Sequence, residues 1–227
     1  MPVSAVETVE ESPRGRARAA RATTDAVALA DMTSDQLVRR AKVIEEVIGL
    51  IGAVGADAVQ MREVSARADV AIGTLYRYFP SKENLLVSVM LEQIRALADR
   101  LNERPPKVDS GAERVDAVLR RANTALQAFP QVTTAMIRAL VSGNTDIAPV
   151  VGRVRDEMRS LLAVAYAAGG DVTDDDLLRI DLLSDVWLAT LISWISGTED
   201  ASVVQPRLST AVGVLLGTST EDQQGHR

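Results

Sequence analysis

MREVSARADVAIGTLYRYFPSK, residues Met61 to Lys82, is the stretch on which the reading of this chain turns. Met61, Val64 and Ala68 recur at helical spacing and leave Arg62 and Glu63 outside. Asp69 follows where the chain must reverse, and Asp tolerates the left-handed backbone that such a corner needs. From Ile72 to Phe79 the pattern predicts a third helix with Leu75 and Phe79, four apart, turned inward. Ile72, Gly73, Thr74, Tyr76 and Arg77 then face outward near its start. Two short helices joined by a tight turn are how a small domain sets a helix in the DNA major groove.

The outward residues suit that task. Gly73 permits close approach to base edges, Thr74 and Tyr76 bring hydroxyls to phosphate oxygens, and Arg77 can contact phosphate or pair bidentately with guanine. Pro80 stops the helix, Ser81 caps the next, and Lys82 falls in its first turn, where a cation opposes the helix dipole unless a phosphate lies against it. Taken singly, Tyr76 and Tyr78 also read as packing residues and Lys82 as a solvated lysine. The constellation favours nucleic acid.

Toward the N-terminus, Thr33 or Ser34 can cap a helix whose apolar stripe is Leu37, Ala41, Ile44, Ile48 and Ile51. Arg39, Arg40 and Lys42 fall on its other faces, toward a DNA backbone or water, and Gly52 and Gly55 are expected to end it. Residues 1–31 read as a disordered arm with arginines at Arg14, Arg16, Arg18 and Arg21, which either reach phosphates and a minor groove or are simply solvated.

Toward the C-terminus, residues 83–104 form a connecting helix with Leu86, Met90, Ile94, Leu97 and Leu101 at helical spacing, and NERPPKVDSG breaks it. Residues 105–220 read as helices throughout, near 112–129, 131–142, 148–168, 173–196 and 203–216, with 221–227 a disordered tail. The fold class is therefore all-α, with a helix-turn-helix unit over 32–82 joined by a long helix to a larger helical domain. The acids from Asp171 to Asp176 read as a helix start, Thr173 and Asp176 having capping-box spacing, while Asp181 and Asp185 read as a solvated face.

A ligand cavity in this body would use its aromatic and Met side chains. Phe129, Met136, Leu140, Met158, Leu162, Tyr166, Trp187 and Trp194 are the candidates for its wall, although core packing explains each equally well. The last two helices carry surplus apolar surface: Val186, Leu188, Leu191, Ile192 and Ile195, then Val204, Leu208, Val212, Leu215 and Leu216. Either these form a four-helix interface between two copies or they are buried within one.

Composition narrows the remaining choices. The 227 residues are 47% hydrophobic with no run long enough for a membrane span and no secretory signal, which points to a soluble cytoplasmic protein without a membrane partner. The net charge of −6 is uneven: four basic against five acidic side chains in 1–31, ten against ten in 32–104, eleven against sixteen in 105–227. A neutral reading head on an acidic body fits that division. There is no Cys, and the only His is His226, so thiol, triad and His-based metal chemistry have no material here. No Gly-rich phosphate loop is present. An enzyme is not expected, nor a cofactor or a metal.

The segment ADVAIGTLYRYFPSKENLL, Ala68 to Leu86, resembles the signature of the TetR family of transcriptional repressors, and the likeness extends over residues 34–104. Its wording is most similar to the actinobacterial repressors of sterol catabolism within that family. The resemblance implies an all-helical homodimer that binds a palindromic double-stranded DNA operator and is released by a small hydrophobic effector, a sterol or lipid metabolite or its coenzyme A thioester. It assigns DNA contacts to Ile72, Gly73, Thr74, Tyr76, Arg77, Tyr78 and Lys82, with Arg62 on the preceding helix. Departures occur at Gln60 and Ala71, where the family usually has hydroxyl caps, and at Asp69, where it usually has Gly. The alternative is a helical ligand-binding or interaction protein that has lost specific DNA binding.

Overall fold

Thr33 opens the first helix through a reciprocal cap. Its hydroxyl accepts from the Gln36 N–H at 3.4 Å while its own N–H donates to the Gln36 side chain at 2.8 Å, satisfying two donors that a helix start leaves unpaired. In the computed structural model of the protein, which describes residues 31–217, α1 spans Ser34–Val54. The arginine arm, the 221–227 tail and His226 lie outside the described residues. The buried face of α1 is Arg40, Val43, Ile44, Val47, Leu50 and Ile51, rotated from the expected stripe, and Leu37 is 42% exposed. The helix is apolar on two adjoining faces, and packing selects the one carrying Val43 and Val47. Gly52 lies within the helix; only Gly55, at φ 80, adopts a backbone that stops it.

Helix α2 (Met61–Ala68) and helix α3 (Ile72–Tyr78) meet at Asp69, whose φ 55 and ψ 47 are left-handed. The Ser65 hydroxyl donates to the Val70 carbonyl at 2.5 Å and closes the corner. Neither Gln60 nor Ala71 makes a side-chain cap. Leu75 and Phe79 are fully buried, so α3 is held by packing rather than by its ends.

Helix α4 (Lys82–Glu103) starts at Ser81, which accepts from the Asn84 N–H. Every residue from Leu85 to Leu91 is buried, because α1, α6 and α7 pack around that segment. After the proline loop come α5 (Gly111–Ala128), α6 (Pro130–Leu140), a 3-10 turn (Thr145–Ile147), α7 (Ala148–Ala167), α8 (Asp174–Ile195) and α9 (Ala201–Leu216). Capped by Asp200, α9 starts at Ala201, two residues before the expected start, which leaves Pro206 inside the helix. No strand occurs among the described residues, and none of their helices is long and apolar enough to cross a membrane. One apolar core runs from Val43 through α4 to Leu216.

Inside the body, the Trp187 indole donates to Asn123 at 2.8 Å, Asn123 donates to Gln205 at 2.7 Å, and Gln205 and Ser209 both donate to Asp116. This network fixes α5, α8 and α9 against one another, and it engages the single N–H of the Trp187 indole.

The acidic start of α8 is a reciprocal cap between Thr173 and Asp176. The Thr173 hydroxyl and N–H, with lesser help from Tyr166 and Arg179, hold the Asp176 carboxyl below its ordinary value. Because the folded value is depressed, this contribution is present above the unfolded value and is lost as pH falls through the folded one. Thr173→Ala should therefore lower stability by about 1 kcal/mol near neutrality. In thermal melts, the gap from the parent should narrow as pH drops below 3.8, the ordinary carboxyl value.

Candidate DNA-reading surface and ligand cavity

On α3 the sequence pattern places Ile72, Gly73, Tyr76 and Arg77 in solvent, Ile72 at 39% and Tyr76 at 45% exposure, with Thr74 half-buried. A Cβ at Gly73 would meet nothing within 4 Å, so the protein's own packing does not require a glycine there. Arg62 is exposed on α2. Arg77 holds its guanidinium 5.7 Å from the centre of the Tyr78 ring, a cation–π approach.

Three residues sit otherwise than expected. Tyr78 is a core residue, 5% exposed and edge-on to Phe79, and its hydroxyl is buried without a partner among the described residues. The helix ends there, which turns this side chain under rather than out. Lys82 does not project freely, because its ammonium donates to the Ala56 carbonyl at 2.6 Å and so ties the α1–α2 loop to the start of α4. Arg40 is 7% exposed; its guanidinium lies 5.1 Å from the Phe79 ring centre and donates to Glu92 at 2.7 Å.

Glu92 continues a chain of charge. It also accepts from Arg95 at 3.3 Å, and Arg95 donates to Glu157 of α7 at 2.9 Å. Arg153 stands close by, its pKa lowered by burial and by the charges of Arg40 and Arg95. Helices α1, α4 and α7 thus meet in one ionic cluster.

Helices α4 to α8 enclose a cavity of about 930 Å³. Phe129, Leu140, Met158 and Trp187 line it as expected. Met136 and Leu162 do not, being wholly enclosed in the core. Tyr166 lies instead against Gly111, where an added Cβ would come within 2.8 Å of its carbonyl, and that carbonyl accepts from Arg114. Trp194 packs on the core outside the cavity. The expected wall lacked the contribution of α4, whose Met90, Ile94 and Leu97 form one side. Their spacing of four and three residues is visible in the sequence, but the path that brings a connecting helix alongside a cavity is not.

Charge gathers at two parts of the lining. Arg100 of α4, Arg104 at its C-terminal cap and Arg121 of α5 stand together with Glu103, Arg121 donating to the Arg104 carbonyl at 3.1 Å. None of these three arginines is in an ion pair among the described residues. Asp185 is exposed as expected, 3.6 Å from Arg155 of α7, whereas Asp181 is half-buried and pairs with Arg159. Among the described residues, no cluster of acids and histidines could hold a metal ion.

Of the expected dimer face, Val204, Leu208, Val212 and Leu216 are buried within the protomer, and Leu191 and Leu188 line the cavity. Ile195 and Leu215 are half-buried. Val186 and Ile192 are exposed, in company with Leu178, Leu182 and Val214, which had not been singled out.

Residues 43–89 match the family described as bacterial regulatory proteins of the TetR family, and residues 109–215 match the tetracyclin repressor-like C-terminal domain. The chain belongs to the TetR family. A repressor of this family, the HTH-type transcriptional repressor KstR of Mycolicibacterium smegmatis, is 36% identical over 186 residues, covering 82% of this chain and 91% of the relative. A TetR transcriptional regulator from Rhodococcus sp. RHA1 superimposes with a TM-score of 0.72 at 33% identity, covering 81% of this chain and 97% of its own. FadR of Thermus thermophilus, a TetR-family transcriptional repressor solved in complex with lauroyl-CoA, shares the fold with a TM-score of 0.65 at 16% identity, over 83% of this chain and 99% of its own.

The unpaired Tyr78 hydroxyl is the easiest part of this TetR-family head to test. Tyr78→Phe removes a buried polar group that gains nothing in return, so the thermal midpoint should stay level or rise. A clear fall in a thermal melt would mean that the hydroxyl has a partner after all.

Proposed function

We propose that the protein is a homodimeric transcriptional repressor that binds a palindromic operator through α3 and is released when a hydrophobic effector with an anionic head group fills the cavity. The observation that carries this reading is the position of α4. One helix begins beside the reading unit, forms a wall of the cavity and ends in two of the arginines at its margin. A ligand bound there touches the element on which the reading unit is mounted.

The residues divide the work as follows. Ile72, Gly73, Thr74, Tyr76 and Arg77 meet the major groove, and Arg62 meets the backbone. Arg100, Arg104 and Arg121 receive an anion, while the apolar wall from Met90 to Leu191 receives hydrocarbon. Together these suit an acyl-coenzyme A or a sterol thioester, and the likeness to KstR and to a FadR solved with lauroyl-CoA supports that class. The exposed row Leu178, Leu182, Val186 and Ile192, with Val214 of α9, is the surface for a second copy. A two-fold pair then sets two copies of α3 at a fixed spacing, and the effector favours a pair spaced wrongly for the operator.

In a gel-shift assay, the protein should retard a palindromic fragment from its own promoter, with affinity falling steeply as salt rises. Arg77→Ala should weaken this by roughly 1 to 3 kcal/mol and relax one base preference. Binding that ignores both sequence and salt would instead favour an interaction protein that has lost its operator.

The ionic cluster supplies a route from the cavity to the head. Glu157→Gln removes the α7 carboxylate from Arg95 but leaves Arg40 paired with Glu92. Operator affinity without ligand should change little, whereas more lauroyl-CoA should be needed to release the variant. An unchanged release curve would sink this route.

A further inference from the structure

A glycine within a helix needs a reason, because alanine in the same place loses less backbone entropy on folding. Three reasons are structural, and none applies to Gly73. Its φ is not positive, unlike those of Gly55, Gly143, Gly169 and Gly197. No other element crowds it: beyond its own chain neighbours, nothing lies within 4 Å of the place a Cβ would take. It ends no helix, since α3 runs on from it to Tyr78. The reason therefore lies outside the polypeptide, in whatever meets the outer face of α3.

The surroundings of the missing side chain narrow what that is. Tyr76 and Arg77 stand three and four residues further on and share its face, and Ile72 adjoins it. Ile72 and Tyr76 are both large and exposed. Gly73 is thus the floor of a shallow hollow walled by an isoleucine and an aromatic ring, with no side-chain donor or acceptor at its base. Base edges in the major groove present donors and acceptors and a single apolar group, the C5-methyl of thymine. A polar group pressed into this hollow gives up water and finds no side-chain partner, whereas a methyl group gives up nothing.

We propose that Gly73 is the specificity-determining residue of α3, its empty Cβ position receiving the C5-methyl of one thymine in each operator half-site, with Ile72 and Tyr76 around it. This rests on the operator reading given above and adds to it the identity of one base pair. The hollow reads by shape: alanine would put a second methyl group where that of thymine must go.

The test uses the full chain and a palindromic fragment from its own promoter. Each thymine is replaced in turn, together with its symmetry mate, by deoxyuridine, which lacks only the methyl group. At one thymine the wild type should lose about fourfold in affinity per half-site, the gain from burying one methyl. Gly73→Ala should keep or raise the thermal midpoint, yet bind the unmodified fragment about tenfold more weakly. Deoxyuridine at that same thymine, and at no other, should restore much of this loss, because a methyl taken from the DNA makes room for the one added to the protein. A wild type indifferent to every replacement overturns the role of Gly73 while leaving the operator reading intact. So does an alanine variant that binds like the wild type, melts lower, or shows a loss that no replacement relieves. Failure of the wild type to retard the fragment at all overturns the operator reading and this inference with it.

Discussion

A buried cation holds the reading unit to the rest of the molecule. Arg40 lies under the Phe79 ring and against Glu92, so one side chain joins α1, the end of α3 and the middle of α4. Removing a guanidinium from water is costly, and here the carboxylate and the aromatic face replace the lost hydration. Loss of the carboxylate would leave the guanidinium without a charge partner, which for buried pairs in proteins costs about 3–5 kcal/mol. The orientation of α3 relative to α4 therefore depends on this pairing more than on the caps of α3, which are absent. Apolar contact alone would permit sliding; a charge held between two partners sets a register.

The same helix that Arg40 grips is the one the cavity uses. Its first half is enclosed on all sides, and its second half offers one face to open space. Such a helix is rigid where it meets the head and available where it meets a ligand. The acidity of the chain also makes sense in these terms. The body carries the negative charge, so the few arginines at the end of α4 and on α5 form a local positive site in an otherwise repelling surface.

Much of the fold was legible in the sequence. The proline and glycine stops, the Thr33, Ser81 and Thr173 caps and the left-handed Asp69 all act through local backbone chemistry, which sequence displays directly. What was missed concerns choices between faces. Periodicity marks α1 and α9 as apolar on more than one side, and only the packing partner decides which side is buried; hence Leu37 is outside and Val204, Leu208 and Val212 are inside. Arg40 was read as a surface charge because nothing local announces that Glu92, fifty-two residues away, will meet it. Lys82 and Tyr78 were read through a shared motif, while here their side chains serve the protein's interior. The cavity was half legible: aromatic and Met residues of the body were visible candidates, but a wall built by a connecting helix follows from its path, not its composition.

The weak ends of α3 have a further consequence. It has seven residues and no side-chain cap, far short of the roughly 12–15 at which isolated helices become even marginal in water. Leu75 and Phe79 anchor one face, and the opposite face has no protein neighbour to add protection. Its order is therefore borrowed from the core beneath it rather than generated along its own length. A helix of that kind has its outer face fixed by its inner one: the position that Leu75 and Phe79 are given by the core is the position that Ile72, Tyr76 and Arg77 inherit.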